Sequence, residues 1–316
     1  MQVSASTLTS ISIETLIEPS QRDLLFSYED KRTGFKKFVH VIIAIFREII
    51  SDAKLALPFI KYFVLKWRKF EYSMLDLDSK YVTADLPWNK PEKNKPSEGL
   101  YVLLHGLNCP PCAWDNYITQ IRKDQPDADC FVPVVKDAGN NSLESISKPI
   151  LAAVGDYVKK NPGKPICLVG ASNGARIAGY IERKLLQEKA AIKTISIAGV
   201  HFGTKIIDKL EEFRLLKLFN FHPNIVKDFK FGSESAKKYL FDWRQSDKLA
   251  EGIRDREFYA STEDDKVFTF TSGLPVINEL KDKYIIIHGE THHSLIDAVQ
   301  RRILQGCKNW MAAQAA

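Results

Sequence analysis

Cysteine is scarce in this sequence, with five in 316 residues. An odd count this small does not build a disulfide scaffold, so reduced thiols are expected. Long apolar runs are also missing. The longest in the N-terminal part, Val41 to Phe46, falls far short of the about 20 residues a spanning helix needs. Met1 to Arg22 is polar and rich in Ser and Thr. It has no basic stretch followed by an apolar one, so a secretory leader is not expected there. There is no internal repeat and no low-complexity tract, which argues against solenoids and fibrous arrays. What is present, 45% hydrophobic residues, suffices for one large globular core.

The net charge of +6 is unevenly placed. Between Lys31 and Lys69 stand ten basic residues and two acids (Glu48 and Asp52), a net of +8, so the remainder is −2. A nucleic-acid footprint over the whole protein is therefore not expected. The basic segment is also apolar. Phe35, Phe38, Val39, Ile42, Ile45, Phe46 and Ile49 recur at helical spacing, which predicts an amphipathic helix from Phe35 to Ile50. Pro58 suits a first helical turn, so a second helix is predicted from near Leu57, with Phe59, Ile60, Phe63, Val64 and Trp67 on its apolar side. Two readings of this pair stand side by side. It packs on the core with its lysines in water, or it lies on an anionic membrane surface with aromatics below the headgroups. The expected location is accordingly the cytoplasm or the face of a membrane.

Glu71 to Asp85 reads as edge strands, and the proline-bearing loop from Pro87 to Glu98 as a boundary. Residues 1–98 are thus an N-terminal arm with a helix pair, and 99–316 a catalytic domain. From Gly99 onward strands and helices alternate. Strands are predicted at Gly99–Leu104, Cys130–Val135, Ile166–Val169, Thr194–Ala198, Glu257–Ala260 and Tyr284–Ile287. Helices are predicted at Ala113–Arg122, Leu143–Lys160, Ala175–Leu186 and Leu295–Leu304. The alternation implies an α/β fold with a mostly parallel sheet, right-handed crossovers and helices on both faces.

The chain is organised around Ile166-Cys167-Leu168-Val169-Gly170-Ala171-Ser172-Asn173-Gly174. A buried strand runs into a Gly-x-Ser-x-Gly turn and then a helix. That is the setting of a nucleophile elbow, with a serine on a strained turn and a helix N-terminus behind it. The plain alternative is an ordinary strand-to-helix turn. A serine needs a base, an orienting acid and oxyanion donors, and each is sought at a strand end. For the base, His292 sits in His288-Gly289-Glu290-Thr291-His292-His293, with His293 as the alternative. For the acid, Asp264 follows the preceding strand, with Asp265 as second choice. For the oxyanion, the Asn173 amide follows the serine, and the Leu107 amide follows His105-Gly106. Cys109 and Cys112 have the spacing of a redox pair, without the surrounding fold of one.

These pieces, in this order, resemble the α/β-hydrolase superfamily in its lipase and esterase branch. Ile197-Ala198-Gly199-Val200-His201-Phe202-Gly203-Thr204 also resembles a strand-end signature of bacterial-type lipases, with Val200 in place of the usual proline. Gly232-Ser233 is a fainter likeness of the same kind. The first hundred residues carry no resemblance. The family implies ester hydrolysis through an acyl-serine intermediate, with no metal and no organic cofactor. Its implied partner is an acyl-ester substrate, and a thioesterase or acyltransferase would use the same residues. A catalytically idle hydrolase-fold binding module is the alternative from another class. The stretch His201 to Glu251, with Leu215, Leu216, Leu218, Phe219, Phe221, Phe229, Phe231, Phe241 and Trp243, has the composition of a lid over an acyl pocket. A cap packed for stability would have the same composition.

Overall fold

The computed structural model describes residues 31–67, 97–185, 188, 190–214, 216, 221–247, 253–267, 270–275 and 283–315. The polar arm, the strands expected at 71–85, most of the boundary loop, and Leu215, Leu218 and Phe219 lie outside the described residues.

Six strands form one sheet: β1 (Leu100–Leu104), β2 (Asp129–Phe131), β3 (Ile166–Ala171), β4 (Ile192–Ile197), β5 (Arg254–Ser261) and β6 (Tyr284–Ile287). All pairings are parallel, in the order β2-β1-β3-β4-β5-β6. The chain moves outward from β1 to β2, crosses back over β1 to β3, and then proceeds steadily to β6. Loops after β1 and β3 therefore leave the sheet toward opposite sides of one crevice, where open α/β sheets place ligands.

Each central strand is buried on both faces, as crossover helices require. Tyr101, Leu103, Cys167, Val169, Ile195 and Tyr259 meet Tyr117, Ile118 and Ile121 of α2 (Asp115–Asp124) and Leu295, Val299 and Ile303 of α8 (Ser294–Ala315). The alternate residues, Leu100, Val102, Leu104, Ile166, Leu168 and Ile192, meet Ile146, Ile150 and Val154 of α3 (Leu143–Lys160) and Ile177 and Ile181 of α4 (Asn173–Leu185). Ser142 caps α3 as its position suggested, accepting from the Ser145 amide.

The closing helix, expected to end at Leu304, runs on to Ala315, and β3 extends two residues past Val169 to Ala171. Three further strand boundaries differ for identifiable reasons. β2 stops at Phe131, two residues before Pro133, which has no N–H for a ladder. β4 stops at Ile197 because Ala198 turns to φ +46°. β5 begins early, at Arg254, because its arginines meet a buried acid. Glu182 accepts from Arg254 at 3.0 Å, from Arg256 at 2.8 Å and from the Trp243 indole at 3.0 Å.

The N-terminal segment departs further. In place of a helix pair there is one helix, α1 (Gly34–Trp67), which continues through Pro58. Nor, over residues 34–50, does its apolar side pack on the core. Within residues 34–50 only His40, Ala44 and Glu48 escape exposure, while Phe35, Phe38, Phe46 and Ile49 are 77%, 61%, 63% and 60% exposed.

Candidate active site

Ser172 follows β3 with φ +54°, a left-handed conformation that costs a non-glycine residue on the order of 1–3 kcal/mol. The two flanking glycines hold it there. A Cβ on Gly170 would strike the Gly174 carbonyl, and a Cβ on Gly174 would strike the Leu104 carbonyl and stand 2.8 Å from that of His105. The turn therefore closes only when both positions lack a side chain. The Ser172 amide donates to Ile197 O at 2.9 Å, tying the turn to β4. Gly106 lies against the serine from the β1 side, where an added Cβ would stand 3.5 Å from its Oγ.

Asn173 opens α4, so its amide has no intrahelical acceptor. Its side chain donates to Gly139 O at 3.0 Å. Leu107 stands in the facing turn, where the Asn108 amide donates to Ala138 O at 2.8 Å and the Cys109 amide to Gly106 O at 3.3 Å. The Leu107 amide takes part in neither bond. His105 braces this turn from within. The Val135 amide donates to its Nε2 at 3.1 Å, so Nδ1 carries the proton and donates to Gly106 O at 2.9 Å. Burial pushes its pKa down to about 4, and the ring stays neutral.

The acid and base expected from the sequence meet. His292 Nδ1 lies 3.0 and 2.9 Å from the two Asp264 oxygens. Asp264 is itself fixed, since its Oδ1 accepts from the Lys266 amide at 2.9 Å and the Val267 amide at 2.8 Å. The alternatives are placed elsewhere. Asp265 accepts from the His292 backbone amide at 3.2 Å and pairs with Lys266 at 2.6 Å. Burial raises its pKa, but these bonds outweigh it and hold the carboxyl below its ordinary value. His293 Nδ1 turns to Glu48 Oε1 at 3.2 Å.

Ser172 and His292 line one cavity of about 680 Å³. Its walls are mostly apolar, among them Val200, Ile207, Leu210, Phe221, Phe229 and Val267. Several come from the insertion after β4, which divides in two. Helices α5 (Lys205–Glu212) and α6 (Pro223–Phe229) face the cavity. Helix α7 (Glu234–Asp247) packs on the sheet instead, setting Tyr239 and Trp243 against Phe258 and Ala260. The insertion thus gives the cavity part of its wall and the sheet part of its cover. His201, from the lipase-like stretch, is fully buried, with Nε2 2.8 Å from Ser196 Oγ. Burial, then Arg176 and Arg256, push its pKa down to about 3.

Sequence reasoning missed the groups that hold the histidine loop from α1 and from Arg32 just before it. Arg47 pairs with Glu290, and Glu48 accepts from the Thr291 hydroxyl. Arg32 pairs with Glu263 at 2.5 Å, and Glu263 accepts from the Gly289 amide at 2.7 Å. The domain partners of Arg32 and Glu48 lie more than 200 positions away in the sequence. The only local signal was that Arg47 and Glu48 interrupt an apolar run. Cys109 and Cys112 are free thiols. Burial pushes them up to about 12 and about 11, away from the thiolate that redox or metal chemistry needs. Among the described residues no group of three or more His, Cys, Asp or Glu could hold a metal.

No protein-family model matches the chain, and no curated protein matches it. Solved structures are similar at low identity. The mature form of the Bacillus licheniformis lipase BlEst2 has a TM-score of 0.49 at 15% identity, covering 68% of this chain and 96% of that one. The peroxisomal α/β-hydrolase Lpx1 of Saccharomyces cerevisiae has 0.46 at 14%, covering 71% and 80%. The monoacylglycerol lipase of Paleococcus ferrophilus has 0.44 at 15%, covering 70% and 96%. Likenesses this distant say nothing of what this chain acts on. The all-parallel strand order β2-β1-β3-β4-β5-β6, with helices on both faces, is that of the α/β-hydrolase fold.

Proposed function

We propose that this chain is a serine-dependent hydrolase of carboxylic esters with an apolar acyl part. The observation that supports it most is the strained Ser172, which shares a cavity with a histidine whose far nitrogen is held by a buried carboxylate. Left-handed backbone occurs at other non-glycine positions, Ala198 among them; what supports a nucleophile at Ser172 is that conformation at the cavity wall shared with His292. In this reading His292 Nε2 takes the proton of Ser172 Oγ as the oxygen attacks the acyl carbon. Asp264 keeps the proton of the imidazole on Nδ1 and stabilises the cation that forms. The Leu107 and Asn173 amides receive the oxyanion, a contribution whose loss costs on the order of 10²–10³ in turnover. His292 then protonates the departing alcohol, and water releases the acyl group by the reverse sequence. No step needs a metal or an organic cofactor. The apolar walls favour an acyl chain over a small polar acid.

Labelling by a fluorophosphonate and a series of p-nitrophenyl esters test the proposal. Wild type is expected to label and to cleave the hexanoate faster than the acetate. Ser172→Ala is expected to lose both, with turnover down by at least about 10⁴. An unlabelled wild type, or equal labelling of Ser172→Ala, would return the chain to the idle binding module.

A further inference from the structure

Helix α1 wears its polarity inside out. A helix that packs on a domain turns its apolar stripe inward. Here the inward stripe is His40, Ala44 and Glu48, at i, i+4 and i+8, and the neighbouring Arg47 also reaches the domain. The opposite side carries Phe35, Phe38, Ile42, Ile45, Phe46 and Ile49, all exposed. Single exposed apolar residues are ordinary, but a continuous row of large ones marks a surface that meets something.

We propose that this face of α1 docks in the headgroup region of an anionic lipid bilayer, beside the mouth of the cavity. Three observations select that occupant. First, the helix is amphipathic and basic at once: its segment carries a net charge of +8, of which only Arg32 and Arg47 are matched by the domain carboxylates named above. That charge attracts anionic headgroups and opposes face-to-face pairing with a second copy. Second, no helix among the described residues is long and apolar enough to cross a membrane, so the row suits shallow insertion along a surface. Third, the helix borders the site. Glu48 bonds His293, which lines the cavity, and Arg47 pairs with Glu290 and donates to Gly289 O at 3.3 Å. A bilayer on the outer face of α1 therefore lies next to a cavity walled for acyl chains. The inference rests on the ester-hydrolase reading only for its purpose; docking itself is independent of turnover.

Flotation of the full chain with vesicles tests it, using phosphatidylcholine alone and phosphatidylcholine mixed equally with phosphatidylserine. The chain is expected to float with the mixed vesicles, and at least about tenfold less with phosphatidylcholine alone or in high salt. Phe38→Glu/Ile45→Glu/Ile49→Glu is expected to lose at least about tenfold in flotation while cleaving soluble p-nitrophenyl butyrate as wild type does. Its thermal melt checks folding, and Phe35→Glu, altering the most exposed of these side chains, is a milder second variant. Absence of flotation with mixed vesicles at low salt would overturn the proposal, as would variants that float like wild type. So would a dimer in sedimentation equilibrium that the triple variant dissolves, since a second copy would then own the face. Flotation by a chain that cleaves no ester would leave docking standing and remove the hydrolase reading instead.

Discussion

Ser172 and His292 line the same cavity, but the backbone beneath each is held by different forces. Under Ser172, main chain packs on main chain. Gly170, Gly174 and the Leu104 and His105 carbonyls are in contact inside a sheet whose central strands are buried on both sides. Under His292 the contacts are polar side chains. Asp265 holds its amide, Glu263 the amide of Gly289, and Glu48 and Arg47 reach across from α1. Even the tightest glycine positions differ in kind. A Cβ on Gly174 meets fixed carbonyls, whereas one on Gly289 meets the His40 imidazole at 3.0 Å, a side chain that can move. The serine half is therefore part of the core and gives little. The histidine half is an assembly of separate bonds, each removable without unfolding the rest.

The sharpest way to break that contrast is Gly174→Ala. The new methyl has no room against the backbone of β1, so the sheet itself must shift. Overpacking of this kind costs about 3 kcal/mol or more, which lowers a melting temperature by about 6–12 °C in a domain of this size. Circular-dichroism melting is expected to show that loss or no folded protein at all. A variant with the wild-type melt and wild-type turnover would mean the elbow is not under steric control.

Asp264→Asn comes next and acts on chemistry with little effect on the fold. The asparagine oxygen can still accept from the Lys266 and Val267 amides, so the loop keeps its shape. Its amide group would offer hydrogens to His292 Nδ1 and favour the tautomer that cannot accept from Ser172. Turnover of p-nitrophenyl butyrate is expected to fall by about 10²–10⁴ with an unchanged melt. A drop below tenfold would move the orienting role to another group.

The same contrast explains what could be read from the sequence. Strand periodicity, the glycines at 170 and 174, and the order of Ser172, Asp264 and His292 are local signals. Each follows from what a buried strand or a tight turn permits. The register of the acid and of the base was not local. Asp264 and Asp265 are adjacent, as are His292 and His293, and only three-dimensional placement gives Asp264 to the imidazole and Glu48 to His293. Helix α1 was legible as a helix and as amphipathic. Its direction was not, because periodicity identifies a stripe without saying which way it faces. The expectation that apolar stripes turn inward failed there, since the polar stripe has ion pairs waiting on the domain. Pro58 likewise suggested a helix start where the backbone continues.

The smallest effect belongs to Glu48, the longest reach in the histidine half. Its carboxyl is partly buried, which raises its pKa, yet bonds from His293 and Thr291 hold it below its ordinary value. It is therefore an anion at neutral pH and accepts from a loop one residue on either side of His292. Three further bonds support that loop: Glu263 to the Gly289 amide, Asp265 to the His292 amide, and Ser261 Oγ to Glu290 O at 2.5 Å. Removing one of several supports shifts the imidazole by a fraction of an ångström. Glu48→Leu is expected to lower kcat on p-nitrophenyl butyrate by about 3–10-fold, well inside the about 10²-fold that a displacement of 1 Å can cost. Glu48→Gln keeps an acceptor for Thr291 and is expected to recover most of that loss. Equal losses in the two variants would show that the negative charge beside His293 matters more than the hydrogen bond. Unchanged kcat in both would show that the domain holds its histidine without Glu48, leaving Arg47 as the reach from α1 that matters to the loop.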